Sequence, residues 1–80
     1  MPVVFRHKNF RFFFYSNEGN PREPIHIHVK NADGDAKFWV LPTVRLADSE
    51  GLDAKTLREL ASIVEANKDL IEEAWNEYFA

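Results

Sequence analysis

The hydrophobic period of this 80-residue chain changes from two to about 3.6 near its middle. Before residue 46, apolar and polar residues alternate, most clearly from Ile25 to Lys30. Such alternation places apolar side chains on one face of a β-strand. After residue 53, apolar residues recur three and four positions apart, as on an amphipathic helix. The pattern predicts a single α+β domain over residues 1–80, with a β-sheet half at 1–46 and a helical half at 53–80.

The first half predicts an antiparallel sheet of three to four strands. Its aromatic and β-branched segments favour strands over helices. These segments are Val3 to Arg6, Phe10 to Ser16, Ile25 to Lys30 and Ala36 to Leu41. Asp33 and Gly34 form a pair typical of a tight hairpin turn, and residues 44–46 could add a short edge strand.

The second half predicts two helices packed on one face of that sheet. Asp53 is a suitable cap for a helix from Ala54 to about Ala66. A second apolar stripe at helical spacing comprises Ile71, Ala74, Trp75, Tyr78 and Phe79. One continuous helix would place the polar Asn67 on the shared apolar stripe. We therefore expect a break near Asn67, with Asn67 capping the second helix.

Composition narrows the classes of protein that this chain could be. It contains no cysteine, so neither disulfides nor thiolate–metal bonds can stabilise it, whereas eleven aromatic residues can supply a small core. No apolar run reaches the 18 or more residues of a membrane span. We expect a cytoplasmic protein without a membrane partner.

Charge is unevenly distributed between the two halves. Residues 1–45 carry seven basic and four acidic side chains, whereas residues 46–80 carry three basic and nine acidic ones. The first half could face a polyanion, and the second half would repel one.

Strand alternation assigns side chains to the two faces of the sheet. We expect a nearly inaccessible core that includes Phe12, Phe14, Ile27, Phe38, Leu60, Val64 and Trp75. The opposite, open face should then present basic and aromatic residues together, namely Arg11, Phe13, Tyr15, His26, His28, Lys30, Lys37 and Trp39. An open sheet face with this many aromatic side chains indicates a binding surface. Both histidines should be at least partly exposed.

Several segments of the chain carry a family resemblance. They are Met1-Pro2, Pro24-Ile25-His26-Ile27-His28-Val29, Ala36-Lys37-Phe38-Trp39 and Glu73-Ala74-Trp75-Asn76-Glu77-Tyr78-Phe79. Together they resemble the domain of unknown function 4160 family of small bacterial proteins. The resemblance implies a small cognate partner protein and a role in a two-protein, toxin–antitoxin-like module.

One interpretation of the histidine pair is a metal site. His26 and His28 would lie roughly 6–7 Å apart along one strand face, close enough to share an ion. Zinc needs at least three protein ligands. The candidates for a third are His7, Glu18, Glu23 and Asp33, and no spacing selects among them.

A second interpretation is metal-independent RNA cleavage or binding. Two imidazoles could act as general base and general acid across a phosphate, because imidazole titrates near neutral pH. Cationic side chains would stabilise charge on the phosphate and aromatic ones would stack bases. The cations are Arg11, Lys30 and Lys37, and the aromatic residues are Phe13, Tyr15 and Trp39.

The alternative is a non-enzymatic dimerisation or protein-interaction module with structural histidines. An aromatic sheet face is often half of a homodimer interface, and strand histidines often bond neighbouring carbonyls. The sequence identifies no cofactor.

Overall fold

A computed structural model describes residues 3–16 and 23–79, which form a five-stranded antiparallel sheet followed by two helices. The strands are β1 (Val3–His7), β2 (Phe10–Phe13), β3 (His26–Lys30), β4 (Asp35–Trp39) and β5 (Arg45–Glu50). Their order in the sheet follows the chain, β1-β2-β3-β4-β5. The predicted α+β class is confirmed, although the strand count is five rather than three to four.

The additional length of the sheet comes from β5, which continues to Glu50 instead of ending at Leu46. Its sequence, Arg45-Leu46-Ala47-Asp48-Ser49-Glu50, lacks the apolar alternation that predicts a strand. Pairing with β4 satisfies the main-chain hydrogen-bonding groups of β5 on one side. Its other side is an edge of the sheet, where charged side chains commonly limit edge-to-edge aggregation.

The helices are α1 (Ala54–Ala66) and α2 (Lys68–Tyr78). Asp53 caps α1 as predicted, because its carboxylate accepts a hydrogen bond from the Thr56 N–H at 2.8 Å. The break at Asn67 is also confirmed, but its predicted side-chain cap on α2 is wrong. Its Nδ2 instead donates to the Ile63 carbonyl at 2.8 Å, in the last turn of α1. With φ −112° and ψ 18°, Asn67 does not have the extended backbone that an N-cap residue usually adopts.

The core lies between the helices and one face of the sheet. All seven side chains predicted to be inaccessible are buried there, together with Val29, Ala36, Val40 and Ile71. Within it, Phe14 meets Trp75 edge to face, with ring centroids 5.1 Å apart. None of the helices among residues 3–16 and 23–79 is long and apolar enough to cross a membrane.

Candidate functional site: the second face of the sheet

We call the sheet face opposite the buried one the second face. Residues that pair across antiparallel strands share a face, so the register sorts this surface into rows. The three rows, from β2 to β5, are Arg11, Lys30, Asp35 and Glu50; Phe13, His28, Lys37 and Asp48; and His26, Trp39 and Arg45. The structure therefore brings together the residues predicted for this face and adds three carboxylates to them.

The middle row is covered by an aromatic cluster. Tyr15, just beyond β2, lies edge-on to His28 with ring centroids 4.5 Å apart. Phe13 contacts both rings, at 5.2 Å from Tyr15 and 5.6 Å from His28. The expectation that Phe13 is open to solvent is wrong, because these two rings cover it. Tyr15 itself is 40% exposed and His28 is half-buried, so they form the accessible part of the cluster.

His26 differs sharply from His28 in its surroundings. Its side chain is 0% exposed, so the expectation that both histidines are partly open is wrong for His26. Its Nδ1 donates a hydrogen bond to the Pro24 carbonyl at 2.8 Å. Trp39 and Trp75 pack against the ring, at centroid distances of 5.5 Å and 5.1 Å. Trp75 of α2 also contacts Phe14, just beyond the end of β2, so this indole lies at the end of the sheet where β3 begins.

The cations of the second face are not equivalent. Lys37 has its ammonium 4.5 Å from the Trp39 ring centroid and 3.9 Å from a Glu23 carboxylate oxygen. Arg11 lies over the edge of the aromatic cluster, with Cζ 5.8 Å from the Phe13 ring centroid. Lys30 is exposed and faces Arg11 on one side and Asp35 on the other.

A cavity of about 220 Å³ opens beside the aromatic cluster. Its polar and aromatic lining includes Tyr15, His28, Lys30, Asp35, Lys37 and Asp48. Our sequence interpretation missed Asp35, Asp48 and Glu50 as members of this face. Asp35 precedes the predicted strand, which begins at Ala36, and the other two follow the point where apolar alternation ends. The cross-strand register with β4 is the signal that identifies them.

The residues described do not assemble a metal site. No group of three His, Asp or Glu side chains within residues 3–16 and 23–79 is close enough to hold an ion. Of the predicted third ligands, Glu18 lies outside the described residues. Glu23 is paired with Lys37, and His7 and Asp33 line a different cavity, beside the N-terminal turns of α1.

This geometry limits the acid–base chemistry of the second face. His28 can contact a ligand in the cavity. His26 cannot, because aromatic rings enclose it and its Nδ1 is hydrogen-bonded to the Pro24 carbonyl. A mechanism that uses both imidazoles across one phosphate needs both of them accessible. The arrangement favours stacking and charge pairing around Tyr15 and His28 over two-histidine catalysis.

The comparisons with known proteins bear on the chain as a whole. The family model described as Domain of unknown function (DUF4160) matches residues 9–76, which include the candidate cavity and most of both helices. Comparison with curated proteins and with solved structures finds no match. Because the matched span covers most of the chain, the resemblance carried by Pro24–Val29 and the closing Trp75 segment is confirmed, and this protein belongs to the DUF4160 family.

Proposed function

We propose that this protein is the RNA-binding component of a small two-protein, toxin–antitoxin-like module and that it acts through the second face of its sheet. The observation that supports this most is the Tyr15–His28 ring pair, which is accessible from the cavity that Lys30 and Lys37 also line. Aromatic rings stack unpaired bases and neighbouring cations hold the phosphates, which is how many proteins bind single-stranded RNA.

The same surroundings restrict the length of RNA that can bind. The cavity is smaller than the roughly 300–1,000 Å³ typical of enclosed small-molecule sites. Asp35, Asp48 and Glu50 would repel a strand that continued across β4 and β5. A short segment, with one base on Tyr15 and its phosphate towards Lys30 and Arg11, satisfies both constraints.

A binding titration tests this function. Fluorescently labelled single-stranded RNA of mixed sequence is titrated against the wild type, Tyr15→Leu and Lys30→Gln. Stacking on one aromatic ring contributes about 1–3 kcal/mol per base, so Tyr15→Leu should weaken binding by about fivefold to a hundredfold. Lys30→Gln should also reduce the salt dependence of binding. Lys55→Gln, an exposed lysine of α1, is the matched control.

Two results would reject the RNA proposal: wild-type protein that binds no RNA, or affinity that Tyr15→Leu leaves unchanged. Gel analysis of the same mixtures shows whether bound RNA is also cut. Cleavage that survives in His26→Gln and fails in His28→Gln would assign His28 as the acid–base group.

A second candidate function is self-association through the same face, and one row specifically favours it. Arg6 pairs with Arg11, so the row reads Arg6, Arg11, Lys30, Asp35, Glu50, basic at one side of the sheet and acidic at the other. Two copies stacked about a twofold axis would place each basic end over an acidic one. Sedimentation equilibrium at low and high salt tests this: a dimer that salt and Arg11→Glu both dissociate supports it, and a monomer at all concentrations rejects it.

A further inference from the structure

A groove separate from the second face runs between the start of β1 and one side of α2. It has a volume of about 410 Å³ and is lined by Val3, Val4, Phe14, Leu70, Ala74, Glu77 and Tyr78. Three of these are large apolar side chains that are almost half exposed: Val3 at 43%, Leu70 at 47% and Tyr78 at 44%. They are half of the large exposed apolar residues within the described ranges. Clustered apolar exposure of this kind marks interaction sites.

The α2 side of the groove carries two parallel stripes. Leu70, Ala74 and Tyr78 follow one another at four-residue spacing, and so do Asp69, Glu73 and Glu77. Residues three apart are also neighbours on a helix surface, so Leu70 lies beside Glu73 and Ala74 beside Glu77, and the apolar stripe borders the acidic one. The acidic stripe therefore forms the outer rim of the groove, with Glu77 reaching into its lining.

Nothing within residues 3–16 and 23–79 neutralises this rim. All three carboxylates are exposed, and the ion pairs of the described residues, Lys8–Glu59 and Lys37–Glu23, leave them out. Lys68, the one basic residue of α2, extends its ammonium to the Pro42 carbonyl at 3.4 Å instead. Like charges four residues apart destabilise an isolated helix, so this stripe is unfavourable for α2 by itself.

We propose that the groove binds a basic amphipathic helix of another protein. Apolar side chains of that helix would fill the space between Val3, Leu70 and Tyr78, and its Lys or Arg side chains would pair with the acidic rim. A second copy of this chain fits poorly. Two grooves facing each other would oppose their acidic stripes, and α1 balances Lys55 and Arg58 with Glu59 and Glu65 instead of offering a basic face.

The probe for the test is an amphipathic Lys/Leu peptide of about 20 residues, long enough to form a helix on binding. Its counterpart has every Lys replaced by Glu. Binding to the full chain is measured by fluorescence anisotropy at two salt concentrations, and amide chemical shifts locate the contact. We expect the Lys/Leu peptide to bind with marked salt dependence and to shift amides of β1 and α2. The Glu/Leu peptide should not bind.

Variants distinguish binding in the groove from non-specific attraction of a basic peptide to an acidic protein. Leu70→Ser with Tyr78→Ser should weaken binding about tenfold or more, as removal of interface anchors does. Glu73→Gln with Glu77→Gln should weaken it and flatten its salt dependence. Leu46→Ser, equally exposed at 46% on β5, and Glu65→Gln on α1 are matched controls that should bind as wild type does.

Three outcomes would overturn the proposal. They are equal affinity of both peptides, unchanged affinity of the groove variants, and a concentration-dependent dimer that Leu70→Ser dissociates. Should the double variant lose its thermal transition, Leu70→Ser alone provides the comparison. Because none of the residues proposed to bind RNA lines the groove, Tyr15→Leu should leave peptide binding intact. The failure of either proposal can therefore be recognised independently of the other.

Discussion

The imidazole of His26 packs against the indole of Trp75, with ring centroids 5.1 Å apart. This contact joins the start of β3 to the middle of α2, elements that are about 50 residues apart in sequence. It makes Trp75 part of two environments at once, since the same indole also lies 5.1 Å from Phe14 and 4.3 Å from Phe79. The candidate site and the core are therefore in direct contact at this end of the sheet.

The first prediction concerns Trp75. Truncation to Ala removes a fully buried side chain and should lower the free energy of unfolding by about 3–5 kcal/mol. That is comparable with the whole stability expected of a domain this small. Urea denaturation followed by circular dichroism measures the change. Tyr78→Ala, in the same helix but 44% exposed, is the control, and a loss below about 1 kcal/mol for Trp75→Ala would contradict its core position.

The second prediction contrasts the two histidines. His26→Gln disturbs a buried hydrogen bond to the Pro24 carbonyl and three ring contacts, so it should cost about 1–3 kcal/mol of stability. His28→Gln, at a half-buried position, should cost less than about 1 kcal/mol and instead weaken RNA binding. Thermal melts and RNA titrations of both variants check this. Equal destabilisation by the two would show that both histidines are structural.

The third prediction concerns Gly34. A Cβ at this position would meet the carbonyl oxygen of Glu50 and come within 2.9 Å of the Gly51 backbone, neither of which can rotate away. Gly34→Ala should therefore destabilise the protein by about 1–3 kcal/mol and shift the amide resonances at the end of β5. Ala32→Ser, at an exposed position in the same turn, should leave both unchanged. Wild-type stability of Gly34→Ala would mean that the two turns do not pack this closely.

The fourth prediction is a loss of stability in acid. Hydrogen bonds from Thr56 lower the pKa of Asp53 below its ordinary value of 3.8. A hydrogen bond and ion pair with Lys8 lower the pKa of Glu59 below 4.5. A carboxylate with a lowered folded-state pKa stabilises fully above its unfolded value, and this contribution disappears as the pH falls through the folded one. The melting temperature should therefore decrease as the pH falls below about 4.

The Asp53→Asn variant tests whether protonation of Asp53 contributes to this loss of stability in acid. Asparagine caps a helix about as well as aspartate but does not titrate, so the variant should keep its helix and show a shallower acid loss. Asp69→Asn provides the comparison at an exposed carboxylate of α2. If the melting temperatures of wild type and Asp53→Asn fall equally with decreasing pH, the pH dependence comes from other groups.

Sequence periodicity predicted the secondary-structure elements that depend only on residues close together in sequence. The helix from Ala54 to Ala66, its Asp53 cap and the break at Asn67 follow from spacing and capping chemistry that a short window contains. Periodicity also identified the buried face of the sheet, because a slip of one residue would expose Ile27 and Val29 together. The cap assigned to Asn67 was wrong because its side-chain partner depends on the path of the chain between two helices.

The candidate site was only partly predictable. Alternation placed His28, Lys30 and Lys37 on one face, and the register confirms that they are neighbours there. The covering of Phe13 by Tyr15, and the carboxylates contributed by β5, were not foreseen. Both depend on which strands pair and in which register, and β5 has no apolar pattern from which its register could be deduced.

What the sequence determined by itself is the α+β class, the bounds of α1 and which side chains can share a face, because these follow from capping chemistry and from the fixed geometry of strands and helices. Only the tertiary structure decided that Trp75 encloses His26 while His28 stays accessible, and that Leu70 and Tyr78 border a groove with β1. Both outcomes depend on the position of α2 relative to the strands. That position is determined by the packing of side chains distant in sequence, which no local period encodes.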